Sequence, residues 1–258
     1  MRSIRMNHRN IAVLAAVLLT AVAGPVRGQE SLPKAEQIMD LYVDATGGTA
    51  AYDRIDNRVV RSTLEIAKAG VKLSVTAFQA KPGKAYSVVE SPMTGKIENG
   101  TDGDVVWEMS AMAGPQIKEG KEKALFLHLN TFDRLAYWRK SFKKVETSGM
   151  EDVNGRSCFR VIGTPQEAPP QTLFFDRETH LLSKLTMTME IPAGSVPMES
   201  YLSDYKAVDS VLIPHKVTIR VLSQERIGTV ESVEQNVQLP ADRFDLPADI
   251  RALAKKAQ

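Results

Sequence analysis

From Asn57 onward, apolar and polar residues alternate with a period of two, and a chain written this way folds into half-buried β-strands rather than helices. The clearest run is Leu182 to Ile191: Leu185, Met187, Met189 and Ile191 share one side, and Lys184, Thr186, Thr188 and Glu190 the other. Val71, Leu73, Val75 and Ala77 repeat the pattern against Lys72, Ser74, Thr76 and Phe78. Ala69-Gly70, Asn99-Gly100, Asp102-Gly103 and Asn154-Gly155 punctuate the strands as turns. The pattern predicts about ten or eleven short antiparallel strands. Taken alone, it is met equally well by a sandwich, a lipocalin-like barrel or an open sheet.

The alternation is missing in three places, and those are where helices are expected. Ser31, Pro33 and Glu36, followed by Ile38, Leu41, Tyr42 and Ala45 at helical spacing, predict an amphipathic helix that Gly47-Gly48 stops, with one further short turn over Ala50 to Ile55. Between Gly120 and Ser141, the runs Ala124 to Leu129 and Phe132 to Trp138 predict one or two helices, with Asn130 or Thr131 as the cap between them. Asp249 to Lys256 is expected to form a terminal helix.

Before the first helix, Arg2, Arg5 and Arg9 precede the uncharged run Ile11 to Ala23. That run is shorter than the roughly 20 apolar residues a membrane-spanning helix needs, and it ends in small residues, as a secretory signal does. Residues 1–28 are therefore expected to be a cleaved signal peptide, with Val26-Arg27-Gly28 as the cleavage site and Ala21-Val22-Ala23 competing with it; an uncleaved signal anchor is the alternative. Residues 29–258 are expected to form a single domain. Hydrophobic residues make up 43% of the chain and it has one cysteine, Cys158, which excludes a disordered chain and a disulfide scaffold. A net charge of +2 gives no reason to expect a nucleic-acid partner.

Several pieces of the chain, in order, resemble the bacterial outer-membrane lipoprotein-sorting family, which is related to the periplasmic lipoprotein carrier and receptor of the Lol pathway. They are Tyr42-Val43-Asp44-Ala45-Thr46-Gly47-Gly48 with Ala51-Tyr52, Gly100-Thr101-Asp102-Gly103 with Val106-Trp107, and Met112-Ala113-Gly114-Pro115. They continue with Thr172-Leu173-Phe174-Phe175-Asp176 and Thr179, Tyr205 with Val208-Asp209, and Leu212-Ile213-Pro214. The resemblance implies a mainly β (α+β) fold: an unclosed antiparallel half-barrel of about eleven strands whose concave face is covered by a helical lid. It also implies a periplasmic carrier that shields the acyl chains of a lipoprotein or another lipid for transfer toward the outer membrane. Its partners would be an inner-membrane transporter that loads it and an outer-membrane acceptor that unloads it. A non-catalytic accessory factor of a membrane transport complex is the alternative. In the carrier an early-strand arginine holds the lid; Arg58 and Arg61 lie on the first strand here, with no local motif aligning either to that role.

The expected acyl-binding residues are Tyr86, Val88, Trp107, Met109, Leu185, Met187 and Met189 on strands, with Met112, Phe126, Leu129 and Phe132 from the insertion and its approach. Leu125 belongs to the same helical run. Each buried methylene contributes about 0.8 kcal/mol, so acyl chains need no catalysis to be held, and flexible Met side chains suit tails of variable shape. A core filled by these same side chains would satisfy the same pattern. Asp133-Arg134 and Arg139-Lys140 are candidates to meet a head group. Catalytic and metal motifs are missing from the sequence: His8, His128, His180 and His215 stand in unrelated contexts, and Gly194-Ser195-Val196 lacks the nucleophile elbow. Cys158 and His215 are expected as packing residues, and no enzyme activity, cofactor or metal is expected.

Overall fold

The computed structural model describes residues 31–91, 95–191 and 194–256, so the signal segment and His8 lie outside the described residues. Helix α1 (Ala35–Ala45) starts after Lys34, whose backbone N–H donates to the Gln37 side chain. It ends where the Thr46 hydroxyl donates back to Tyr42 O at 2.8 Å. Gly47 then passes so close to Ser210 that an added Cβ would sit 2.3 Å from the Ser210 carbonyl oxygen, and its φ of +130° suits only glycine. The short helix α2 (Thr49–Asp53) leads into the sheet.

Thirteen strands follow, all paired antiparallel: β1 (Asn57–Ile66), β2 (Val71–Ala80), β3 (Lys84–Ser91), β4 (Gly95–Thr101), β5 (Val106–Ser110), β6 (Gly114–Lys118), β7 (Phe142–Val153), β8 (Arg156–Pro165), β9 (Gln171–Asp176), β10 (Leu182–Ile191), β11 (Gly194–Val208), β12 (Val211–Val221) and β13 (Gln224–Gln235). The order β6-β5-β4-β3-β2-β1-β13-β12-β11-β10-β9-β8-β7 is two meanders joined where β1 pairs with β13, leaving β6 and β7 as unpaired edges. Among the described residues there are thirteen strands where about eleven were expected. The least legible addition is β6, which is five residues long, carries Pro115 and lies at the edge, where proline is tolerated. Met112-Ala113 is accordingly the tip of the β5–β6 hairpin, and Met112 is 87% exposed there.

The insertion forms α3 (Gly120–Asn130) and α4 (Trp138–Ser141). Asn130 and Thr131 do not cap a following helix. They close α3 itself, donating to Phe126 O and Leu127 O at 2.9 Å. Helices α1 and α4 pack toward β7, and α3 toward β5. The terminal helix α5 (Ala248–Lys256) packs on β6. The turn at Lys81-Pro82 after β2 and the turn Pro165–Ala168 before β9 line one cleft. In a flat sheet β2 and β9 would stand roughly 30 Å apart, so the sheet curls around the helices.

The main core lies on the inner, helix-facing side. Ile38, Met39, Tyr42 and Val43 of α1 pack on Phe159, Val161, Leu173, Phe175, Leu185 and Met187. A second cluster joins Tyr52 and Ile55 to Phe132, Ala136 and Val211. Cys158 is free and fully buried with Val153 and Phe174 on the other side of the sheet, and burial pushes its thiol pKa up. His215, also buried, faces Ile213 O through Nδ1 at 2.9 Å.

Candidate functional site

Residues paired across antiparallel strands point to the same face, so the register divides the sheet into two surfaces. On β1 the inner row is Arg58, Val60, Ser62, Leu64 and Ile66, opposite Gln79, Ala77, Val75, Leu73 and Val71 of β2. Across β3 and β4 it continues through Ser87 and Val89 to Asn99 and Ile97. On the other flank it runs through Val233 and Val230 of β13, Val217, Ile219 and Val221 of β12, and Leu202, Ser200 and Met198 of β11, to Met187 and Met189 of β10. The outer rows carry Arg61, Thr63 and Glu65; Lys72, Ser74 and Thr76; Lys216, Thr218 and Arg220; Lys184, Thr186, Thr188 and Glu190, with Val59, Phe78 and Ile227 as apolar members.

The inner apolar side chains fall into two groups. Beneath α1 they are fully buried; along β1–β4 and β11–β13, Val60, Leu64, Leu73, Val75, Val89, Ile97, Met198, Val217, Ile219 and Val230 are only half-buried. The sheet therefore carries an apolar inner floor that the protein's own helices do not fully cover. Polar outer residues on the same strands exclude the opposite orientation.

A buried ion pair ties the α3–α4 insertion to this floor. Arg58 Nη1 donates to Asp133 Oδ1 at 2.8 Å and Nη2 to Oδ2 at 3.3 Å, with side-chain exposures of 10% and 7%. The Arg58 guanidinium also lies 5.1 Å over the Phe132 ring. Arg61 points outward to Glu234. Beside this latch, Arg134 Nη1 donates to Gln171 Oε1 at 3.1 Å, and His128 packs edge-on against Phe142.

Two cavities adjoin the α3–α4 insertion. The larger, about 560 Å³, is lined by Ala124, Leu127, Phe132 and Tyr137 together with Lys81 and Lys140. Lys81 stands 5.9 Å over Phe132 and 5.7 Å over Tyr137, whose hydroxyl donates to Asp53. The smaller, about 210 Å³, lies between Tyr42, Tyr52, Arg58, Gln79, Asp133 and Arg134.

The structure distributes the expected acyl-binding residues over several places. Phe132 is buried under the latch and reaches the larger cleft; Leu129 reaches the smaller one, and Phe126 is half-buried on α3. Leu185 and Met187, each 5% exposed, are packed core beneath α1, whereas Met189 is half-buried on the same inner row. Tyr86, Val88, Trp107 and Met109 lie on the outer face, as their pairing with Phe78, Thr76, Gly100 and Glu98 requires. There Phe78, Tyr86 and Trp107 form an aromatic row with centroids 5.7 and 6.1 Å apart. The Arg243 guanidinium caps it 4.5 Å above Phe78, and Trp107 is 3% exposed. The reason is a second cover: the segment after β13, pinned by Asn236 to Arg54 and Asp56, runs over the outer face, so apolar residues are needed on both sides of these strands. Leu64, Leu73, Val75, Val217 and Ile219 of the floor, which are not among the expected acyl-binding residues, carry the same alternation signal. Arg139 pairs with Asp40 at 2.8 Å. Among the described residues, no group of three or more His, Cys, Asp or Glu is placed to hold a metal ion, and no helix is long and apolar enough to cross a membrane.

No protein-family model and no curated protein matches the sequence. Solved structures do match its shape. A DUF1329 family protein from Desulfovibrio piger superposes with a TM-score of 0.57 at 13% identity, over 82% of this chain and 97% of that one. A LolA superfamily protein from Nitrosomonas europaea gives 0.55 at 10% identity, over 83% and 99%. An outer membrane lipoprotein-sorting protein domain from Vibrio parahaemolyticus gives 0.53 at 12% identity, over 82% and 97%. At these identities what is shared is architecture, and the chain has the fold of the LolA superfamily and outer membrane lipoprotein-sorting proteins.

Proposed function

We propose that this protein is a periplasmic lipid-binding carrier that shelters acyl chains, from a lipoprotein or another lipid, on the inner floor of its sheet. Residues 1–28 act as the export signal in this reading, and the mature domain moves its cargo toward the outer membrane. The observation that carries it is the contrast between the two faces beyond the reach of the segment after β13: half-buried Leu64, Leu73, Val75, Val217 and Ile219 inside, against Thr63, Glu65, Lys72, Ser74, Lys216, Thr218 and Arg220 outside. Tails laid on the floor would complete the burial that the helices leave unfinished, at about 25 cal/mol per Å² of apolar surface. The Arg58–Asp133 latch lets the lid be held shut over an empty floor and released when cargo enters. The shared fold with lipoprotein-sorting proteins supports the same reading.

The test is binding of a fluorescent fatty-acyl probe, with mass spectrometry of lipids co-purifying from the periplasm. Leu64→Asp places a carboxylate on the inner floor, where an unpaired charge is costly, and should weaken probe binding at least tenfold. Thr63→Asp, one residue away on the outer face, should change it less than twofold. A wild-type protein that carries no lipid and binds no probe would end the proposal.

A further inference from the structure

Among the described residues, one arginine of the α3–α4 insertion has no carboxylate against it. Arg134 sits in the turn between α3 and α4, between Gln171 of β9 and Tyr42 of α1, and its one hydrogen bond to a side chain is to the neutral Gln171 amide. The residue is half-buried, and desolvation of its guanidinium with no counter-ion alongside lowers its pKa to about 10. Nearby His128 is held neutral, its pKa lowered to about 4 by burial first and by the Arg134 charge second.

The 210 Å³ cavity faced by Arg134 also contains Arg58 and Asp133. Asp133 is committed to Arg58 through both oxygens, so the two neutralise each other and one positive charge remains. We propose that this cavity is an oxyanion subsite, taking the carboxylate or phosphate head of an acidic amphiphile whose tail lies along the inner floor. The inference rests on the carrier reading above and names the cargo class for it.

Three features point the same way. The cavity is smaller than the roughly 300–1,000 Å³ typical of pockets that enclose a whole small ligand, and so has head-group size. Guanidinium groups offer paired N–H donors matched to carboxylate and phosphate oxygens. Its sheet wall, Arg58 and Gln79, belongs to the same inner rows as Val60 and Ala77, and the apolar row from Val60 to Ile66 extends for roughly 20 Å. A polar anchor at one end of an apolar runway fits an amphiphile, lying head first under the lid.

The experiment compares palmitate, hexadecyl phosphate and hexadecanol, which share one chain length, as competitors of a fluorescent acyl probe on the purified protein. One or both anions should compete at least tenfold better than the alcohol, and the better anion identifies the head as carboxylate or phosphate. Arg134→Met should cut that advantage below threefold with hexadecanol binding unchanged within twofold, and Arg134→Lys should restore part of it. Because a variant in the lid can misfold, a second measurement uses the unaltered protein: excess inorganic phosphate should weaken the preferred anion and leave hexadecanol untouched. Equal binding of all three ligands to the wild-type protein, or an anion preference that survives in Arg134→Met, would overturn the subsite while leaving the carrier reading in place. If none of the three binds, the carrier reading itself fails.

Discussion

His128 owes its neutrality to where α3 sets it: its ring is buried edge-on against Phe142 at 5.2 Å, with the Arg134 charge close by. Its pKa, lowered from 6.5 to about 4, lies below that of the unfolded chain, so the unfolded state takes up a proton first as the solution is acidified. Stability should therefore fall between about pH 6.5 and pH 4, by at most on the order of 3 kcal/mol from this residue. Chemical denaturation of wild type and His128→Phe across that range checks it: the variant should lose the part of the slope that His128 supplies, and parallel profiles would refute the assignment. The sequence placed His128 in a helical run without showing this environment, because Phe142 and Gln171 reach it only through the fold. Arg58 shows the same limit, since its partner Asp133 is 75 residues away.

At the scale of an element, β10 shows what alternation can and cannot say. Leu185, Met187 and Met189 do share a face, as their spacing predicts, but α1 covers only the first two. Met187→Ala should thus open a cavity in packed core and cost about 2–5 kcal/mol in unfolding free energy, while Met189→Ala should cost clearly less. Equal losses in urea denaturation would mean that the cover extends further along the strand than α1 does. On β3 and β5 the two-residue period was legible, but the inward side was not. Tyr86 and Trp107 are the bulkier, more apolar set, yet they face outward, Tyr86 beneath Arg243, and the smaller Ser87 and Val89 face the floor. Edge strand β6 was missed because Pro115 in a five-residue segment reads as a turn.

Across the whole molecule, the α3–α4 insertion and the floor come from segments that meet because β1 pairs with β13 and the sheet curls, and the Arg58–Asp133 pair is a buried charged tie between them. Removing one partner of a buried pair leaves the other charge uncompensated. Asp133 has φ +47°, a conformation asparagine tolerates, so Asp133→Asn removes the charge with little backbone strain. Hydrogen exchange in that variant should speed up several-fold or more over residues 120–141 and stay near wild type in β8–β10; uniform acceleration would show that the pair supports the whole fold instead of the lid. The sequence by itself determined the strand-rich class, the places of α1, α2, α3 and α5 and most turns, because period and Gly or Asn turn chemistry are local properties of neighbouring residues; Phe132 to Tyr137, expected as helix, forms turns, and Asn99-Gly100, expected as a turn, lies inside β4. Only the tertiary structure decided which side of each strand faces the floor, what covers it and which charges meet, because a period-two pattern is symmetric between its two faces and the covering segments lie far away in the chain.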